Sequence, residues 1–269
     1  KEIIDLLVCI FPFEKPFFAE RGIRTLYAGH PLTRIFRPAH SREAFRERHG
    51  IAEKATLIGL LPGSRAGEWR RHLPVLVEAV EQLQQRGRLA GNTAGRGLHF
   101  ALGVPEGGMP WPGTAVGGDG DALAEKTRKR IAAASIQEVV GDTWDLLAHA
   151  DLLVAASGTV TMEAALAGTP MVTFYKVSPL SWKLGRRLVK VPHLTMVNLI
   201  AGERVVPEYM QDAATGTALA AAVEGLLGHP EAMERMRRDL GRVRALLSSE
   251  EDPIEVAARE IAAMIPGKG

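Results

Sequence analysis

Several things are scarce in this chain, and each shortage narrows what it does. A single cysteine, Cys9, stands among 269 residues, so no internal disulfide forms and a reducing compartment fits. The longest apolar run near the start covers residues 6–13, far short of the roughly 20 residues a membrane-spanning helix needs. No secretory signal pattern is visible in the opening residues. Formal net charge is only +2, too small to imply nucleic acid by itself. No Cys cluster exists, His99 lies in a strand-like run, and His149 and His193 have no partner at i+3 or i+4, so no metal site is expected. Two nucleotide-binding signatures are also missing: no Walker Gly-Lys-Ser/Thr loop and no Gly-x-Gly-x-x-Gly.

What remains is ordinary globular composition, 46% hydrophobic and 24% charged, in a length suited to one large or two modest domains. Residues 1–37 read as two short strands around a helical piece. Two strands make a poor domain alone, and the first residue is Lys. This segment is expected to be the tail of a domain whose beginning is absent. From residue 56 strands and helices alternate. Strands are expected over 56–61, 98–104, 136–140, 152–156 and 171–175. Leu73, Leu76, Val77, Val80 and Leu83 recur at helical spacing, which predicts a helix over roughly 72–85. A further helix fits 121–134, and Asp142 or Thr143 is placed to cap a short one through Ala148. Helices over 216–227, 231–247 and 254–265 end the chain. The Gly-rich stretches within 87–120 read as loops. Apolar strands alternating with amphipathic helices predict an α/β fold with a doubly wound parallel sheet. Ligands in such folds bind outside the carboxyl ends of strands. The turns to inspect are 62–68, 104–108, 141–143, 157–163 and 176–179.

Two of these turns suit an anion. "LLPGSRAGEWRRH" places Gly63, Ser64 and Arg65 at a strand end, where glycine admits a ligand and a guanidinium offers a fork to phosphate. A plain turn with an exposed arginine explains the same residues. "ASGTVTMEAALAGTP" puts Ser157, Gly158 and Thr159 where a helix begins, and free N–H groups and the helix dipole favour a diphosphate there. Glu163 is not a capping-box residue, because the position three before it is Val160. It lies one turn into the helix, on the face of Thr159, and leans back toward the turn. A carboxylate there suits a sugar diol such as ribose. A surface Glu favoured by the dipole is the bland alternative. "VSPLSWKLGRRLVKVPHL" is a basic amphipathic stretch. Trp182, Lys183, Arg187 and Lys190 suit an anionic membrane surface or lipid, or else a solvated helix face.

Four stretches together resemble the lipid-A-disaccharide synthase family of bacterial glycosyltransferases. They are "FPFEKPFFAERGIRTLYAGHPL", "LLPGSRAGEWRRHLPVLVEAV", "ASGTVTMEAALAGTPMV" and "YKVSPLSWKLGRRLVKVPHLTMVNLIAGERVVPEYMQ", in the family's order. The resemblance covers 1–85 and 142–211. It implies two Rossmann-like domains facing across a cleft, the GT-B arrangement. On that reading residues 1–37 are the tail of the N-terminal domain and 38–245 form the C-terminal, nucleotide-sugar-binding domain. Residues 246–269 are then a C-terminal helix packing back on the N-terminal domain.

The family transfers 2,3-diacylglucosamine from its UDP conjugate to 2,3-diacylglucosamine 1-phosphate, inverting the anomeric centre and releasing UDP. The resemblance implies no metal or organic cofactor and no nucleic acid. It implies a cytoplasmic enzyme peripheral to the inner face of the inner membrane, and it is compatible with a homodimer. Carried over by position, Gly63, Ser64 and Arg65 would face the diphosphate, with Ser157, Gly158 and Thr159 on phosphate oxygens. Glu163 would hold the ribose, and Asn198, Glu208 and Gln211 would lie near the donor sugar. The family's proposed base, an Asp, has no counterpart in residues 1–37. His193 and the pair Met196 and Val197 depart from the Tyr and Leu-Pro more usual in the family. Another UDP-sugar enzyme of this architecture, such as a UDP-N-acetylglucosamine 2-epimerase, and a UDP-binding module without turnover remain open on the residues alone.

Overall fold

The computed structural model describes residues 3–89, 97–110, 119–178, 182–183 and 191–265. In chain order the elements are β1 (Leu7–Cys9), α1 (Glu14–Ala19), β2 (Thr25–Tyr27), α2 (Leu32–Ile35), α3 (Arg42–Arg48), β3 (Thr56–Leu61), α4 (Ala66–Leu89), β4 (Leu98–Val104) and α5 (Asp119–Ala133). They continue as β5 (Gln137–Val140), α6 (Thr143–His149), β6 (Leu152–Ala156), α7 (Thr159–Ala167), β7 (Met171–Tyr175), α8 (Met196–Ala201), β8 (Glu208–Met210), a 3-10 turn, α9 (Gly216–Leu227), α10 (Pro230–Leu247) and α11 (Pro253–Ala262).

Six strands, β3 to β8, form one sheet in the order β5-β4-β3-β6-β7-β8, every pair parallel. Strands β3, β4, β6 and β7 are apolar almost without alternation because both faces are covered. Ile58, Leu60, Leu152, Val154, Val172 and Phe174 point to one core with residues of α4, α5 and α9. Their neighbours Leu57, Leu61, Leu153, Ala155 and Met171 point to a second core with residues of α3, α6, α7, α8 and α10. The chain runs outward from β3 through β4 to β5, then returns to β6 on the other side of β3. That reversal opens a crevice at the carboxyl ends of β3 and β6, the place where doubly wound sheets receive ligands.

One boundary and one element differ from the sequence reading. Helix α4 starts at Ala66 rather than near residue 72, directly after the Gly-Ser-Arg turn, and carries Pro74 inside it. Its first turn has no apolar periodicity because it is fixed by polar bonds to the turn, described below. Helix α3, which the sequence reading did not expect, is capped by Ser41, whose hydroxyl accepts the Ala44 N–H at 3.2 Å.

Strands β1 and β2 pair in a separate two-stranded parallel sheet. The end of α10 and the link to α11 lie against the end of β2 and the segment that follows it. Tyr27 donates to the Leu246 carbonyl at 2.7 Å, the His30 N–H to the Leu247 carbonyl at 2.8 Å, and Arg34 to the carbonyls of Ser249 and Glu250.

Candidate functional site

The crevice is a cavity of about 410 Å³. Its wall collects the turns expected from the sequence: Pro62, Gly63, Ser64 and Arg65 after β3, Pro105 after β4, Thr143 after β5, and Ser157, Gly158, Thr159 and Glu163 after β6. The last expected turn, 176–179, supplies none of the wall; the cavity takes instead Tyr175, the final residue of β7.

Helix α7 opens onto the cavity through its start. Gly158 is its N-cap, and among the described residues no side chain caps it. The hydroxyl of Thr161 is turned onto the Gly158 carbonyl at 2.7 Å, so it leaves the first-turn donors alone. A helix start with unclaimed donors suits an anion; here the Thr161 N–H is spent on the Gly158 carbonyl and that of Ser157 on the Phe174 carbonyl. The sequence reading gave Gly158 a tight-turn role. Its φ of 165° is extended backbone that any residue adopts. What glycine contributes is space: a Cβ there would meet nothing within 4 Å.

Glu163 sits one turn into α7, facing the same cavity. Burial pushes its carboxyl above the usual range, while a hydrogen bond from the Trp144 side chain acts the other way. The Trp144 ring in turn lies 5.2 Å from that of Phe36, tilted by 53°.

The Gly-Ser-Arg turn is held from beneath by three side chains of α4. His72 donates from Nδ1 to the Pro62 carbonyl at 2.7 Å. The Trp69 indole donates to the Gly63 carbonyl at 2.8 Å. Glu68 Oε2 accepts the N–H groups of Ser64 and Arg65 at 2.9 and 3.1 Å. Gly63 has φ +107°, and a Cβ on it would come 2.4 Å from that same Oε2, so only glycine fits. Above the turn the Arg65 side chain is 79% exposed and touches Glu68 Oε1 at 3.2 Å. Burial by itself would raise the Glu68 carboxyl, but the Tyr175 hydroxyl, two N–H groups and the Arg65 charge together hold it below its usual value.

Asn198, Glu208 and Gln211 are not in the cavity wall. Asn198 is fully buried and its amide is spent internally. Oδ1 accepts from the N–H groups of Val205 and Val206, and Nδ2 donates to the Val206 carbonyl and to Glu208 Oε1. Glu208 also accepts the N–H groups of Thr195 and Leu194. Gln211 accepts the Val177 N–H at 2.7 Å. These three therefore shape the loops beside the site, and none of them has its polar group turned into the cavity. Trp182 is half-buried and Lys183 exposed. Arg187 and Lys190 lie outside the described residues.

Glu68, His72, Trp144 and Tyr175 carry the site's geometry and were missed in the sequence. One signal was available. Glu68 is at the third helical position after Arg65, where a capping-box Glu reaches back to the cap N–H, but Arg is not a capping residue and the pattern stayed hidden. The fold also brings His40, Asp142 and Asp145 within 4.8 Å of one another, a grouping no spacing reveals. Asp142 is engaged there by Arg48 and His49, and Asp145 by the His40 N–H at 2.7 Å.

The family model described as lipid-A-disaccharide synthetase matches residues 1–89 and 119–261. A lipid-A-disaccharide synthase of Solibacter usitatus is 40% identical over 268 residues, spanning 100% of this chain and 64% of the relative. That of Geobacter metallireducens is 35% identical over 92% of this chain and 59% of its own length. The chain thus spans about three fifths of these relatives. Among solved structures, WaaG, a glycosyltransferase involved in lipopolysaccharide biosynthesis, superposes with a TM-score of 0.56 at 18% identity, covering 97% of this chain and 62% of that one. That likeness concerns the fold, a GT-B type α/β sheet. With a family model matched along most of its length, the chain belongs to the lipid-A-disaccharide synthase family of glycosyltransferases.

Proposed function

We propose that this chain is the donor-binding part of an enzyme that transfers 2,3-diacylglucosamine from its UDP conjugate to 2,3-diacylglucosamine 1-phosphate. The observation that carries this reading is one cavity, in a chain of this family, that joins an uncapped helix start, an exposed guanidinium and a half-buried carboxylate. The diphosphate lies on the first-turn N–H groups of α7 with Arg65 on its other side. The ribose diol lies on Glu163. As the glycosidic bond to phosphate breaks, charge grows on the leaving diphosphate. Donors already aimed at it lower the barrier because they need no reorganisation. Asn198, Glu208 and Gln211 act by holding the loops around the donor sugar rather than by touching it. The epimerase alternative loses its support with the family match.

Both substrates carry acyl chains, so the reaction belongs at a membrane surface. Among the described residues no helix is long and apolar enough to cross one. Trp182, Lys183, Arg187 and Lys190 suit a peripheral contact with anionic lipid. Calorimetric titration of the chain with UDP tests the site. Saturable binding that Arg65→Ala and Glu163→Ala each weaken supports it; a folded chain that takes up no UDP overturns it. Product analysis with the full-length enzyme then tests the transfer.

A further inference from the structure

The proposed anion site contains a buried negative charge. Glu68 is 6% exposed, lines the same cavity as Arg65 and the start of α7, and would repel a diphosphate. It makes four hydrogen bonds. Oε2 takes the N–H groups of Ser64 and Arg65, which in a phosphate-binding loop would face the ligand. Oε1 takes the Tyr175 hydroxyl at 2.8 Å and one Arg65 Nη at 3.2 Å.

We propose that Glu68, seated by Tyr175, is a positioning residue for Arg65. It withdraws the backbone donors of the turn from the ligand and leaves the guanidinium as the anion partner at the end of β3. This rests on the donor-binding reading above. The guanidinium has five N–H donors in a rigid plane. Binding one of them to Glu68 fixes the orientation of the rest toward the cavity. Tyr175 ends β7, so it ties that orientation to the strand two places along the sheet from β3. The division of labour is then explicit. The α7 start binds by backbone dipoles, and the β3 turn binds by one aimed side chain.

A double-mutant cycle on UDP binding tests this. Arg65→Ala is expected to weaken UDP about tenfold, the loss of one charge-assisted pair. Glu68→Gln keeps an acceptor for the turn's N–H groups but sets an amide against the guanidinium, and is expected to weaken UDP about fivefold with Arg65 present. In the Arg65→Ala background the same change is expected to do almost nothing. Tyr175→Phe follows the same pattern at about two- to threefold, and carries the cycle alone if Glu68→Gln does not fold. Glu68→Gln or Tyr175→Phe proteins that bind UDP as tightly as wild type overturn the inference. So does an equal loss with and without Arg65, which marks a merely structural residue. A wild-type chain that does not bind UDP fails the donor reading itself, a result distinct from both.

Discussion

The Asn198 amide and the Glu208 carboxylate share a 2.7 Å hydrogen bond, and through it the helix start of α8 is tied to strand β8. Each partner spends its remaining capacity on backbone: Val205 and Val206 on one side, Thr195 and Leu194 on the other. Asn198→Ala strands the buried Val206 N–H and removes the donor to the Val206 carbonyl, while Val205 keeps the Glu203 carbonyl at 3.1 Å; an unsatisfied buried polar group costs about 1–3 kcal/mol. We expect the variant to lose about 2–4 kcal/mol of stability in chemical denaturation. Its UDP affinity, measured below the unfolding transition, should stay within about twofold of wild type. A large loss of affinity at unchanged stability would instead put Asn198 on the donor.

Glu163 shows the opposite trade. Burial holds its proton to higher pH in the folded chain than in the unfolded one. Stability from such a group is complete below the unfolded value and is lost as pH rises through the folded one, so the ionised carboxylate is a cost near neutral pH. Glu163→Gln removes that cost and keeps an acceptor for Trp144. We expect a midpoint temperature at or above wild type near neutral pH, an advantage that disappears in acid, and UDP affinity lowered by about tenfold. A thermally weakened variant would mean that the carboxylate serves the fold.

His72 sets the acid side of the stability curve. It is completely buried and its pKa is lowered, by desolvation first, against the raising pull of the Pro62 and Lys176 carbonyls. The neutral ring donates to Pro62 through Nδ1 and accepts the Lys176 N–H at 3.0 Å through Nε2. Below the unfolded value of 6.5 the unfolded chain binds a proton that the folded chain resists, so stability falls as pH drops through that point. Burial lowers His30 in the same direction. Denaturation midpoints taken from about pH 7.5 down to 5 should therefore decline, and His72→Gln should flatten part of that decline while lowering the whole curve. An equally steep decline in the variant would remove His72 from the account.

The β/α alternation was legible because both-face burial makes β3, β4, β6 and β7 largely apolar runs of five to seven residues. The turns lining the cavity followed from strand ends alone. Glu163 was legible because a failed capping box left it unexplained at the right place on the helix. The clamp beneath the Gly-Ser-Arg turn was not legible. Its parts come from α4 and from β7, whose meeting residues Glu68 and Tyr175 are 107 positions apart. Asn198 and Gln211 misled for a related reason. An amide suits a sugar hydroxyl and a backbone carbonyl equally well, and only the fold tells which one it faces.

Trp144 gives the most selective test of what Glu163 recognises. Its side chain lies near that carboxylate and pulls its pKa down against burial, while its ring rests against Phe36. Trp144→Phe keeps an aromatic ring for Phe36 and deletes the indole donor, so the carboxylate loses its aim with little change in packing. A carboxylate hydrogen-bonded to a ribose diol discriminates against a 2′-deoxy nucleotide, because the analogue leaves that partner unpaired. A hydrogen bond to a charged group is worth about 1.5–3 kcal/mol, so wild type should prefer UDP over 2′-deoxy-UDP by at least about tenfold. In Trp144→Phe that preference should shrink to about threefold, chiefly through weaker UDP binding, and in Glu163→Gln it should shrink in the same way. Equal affinity of the wild-type chain for the two nucleotides would take the ribose off Glu163. A preference left intact in Trp144→Phe would leave the ribose on Glu163 and show that the carboxylate is held by α7 alone.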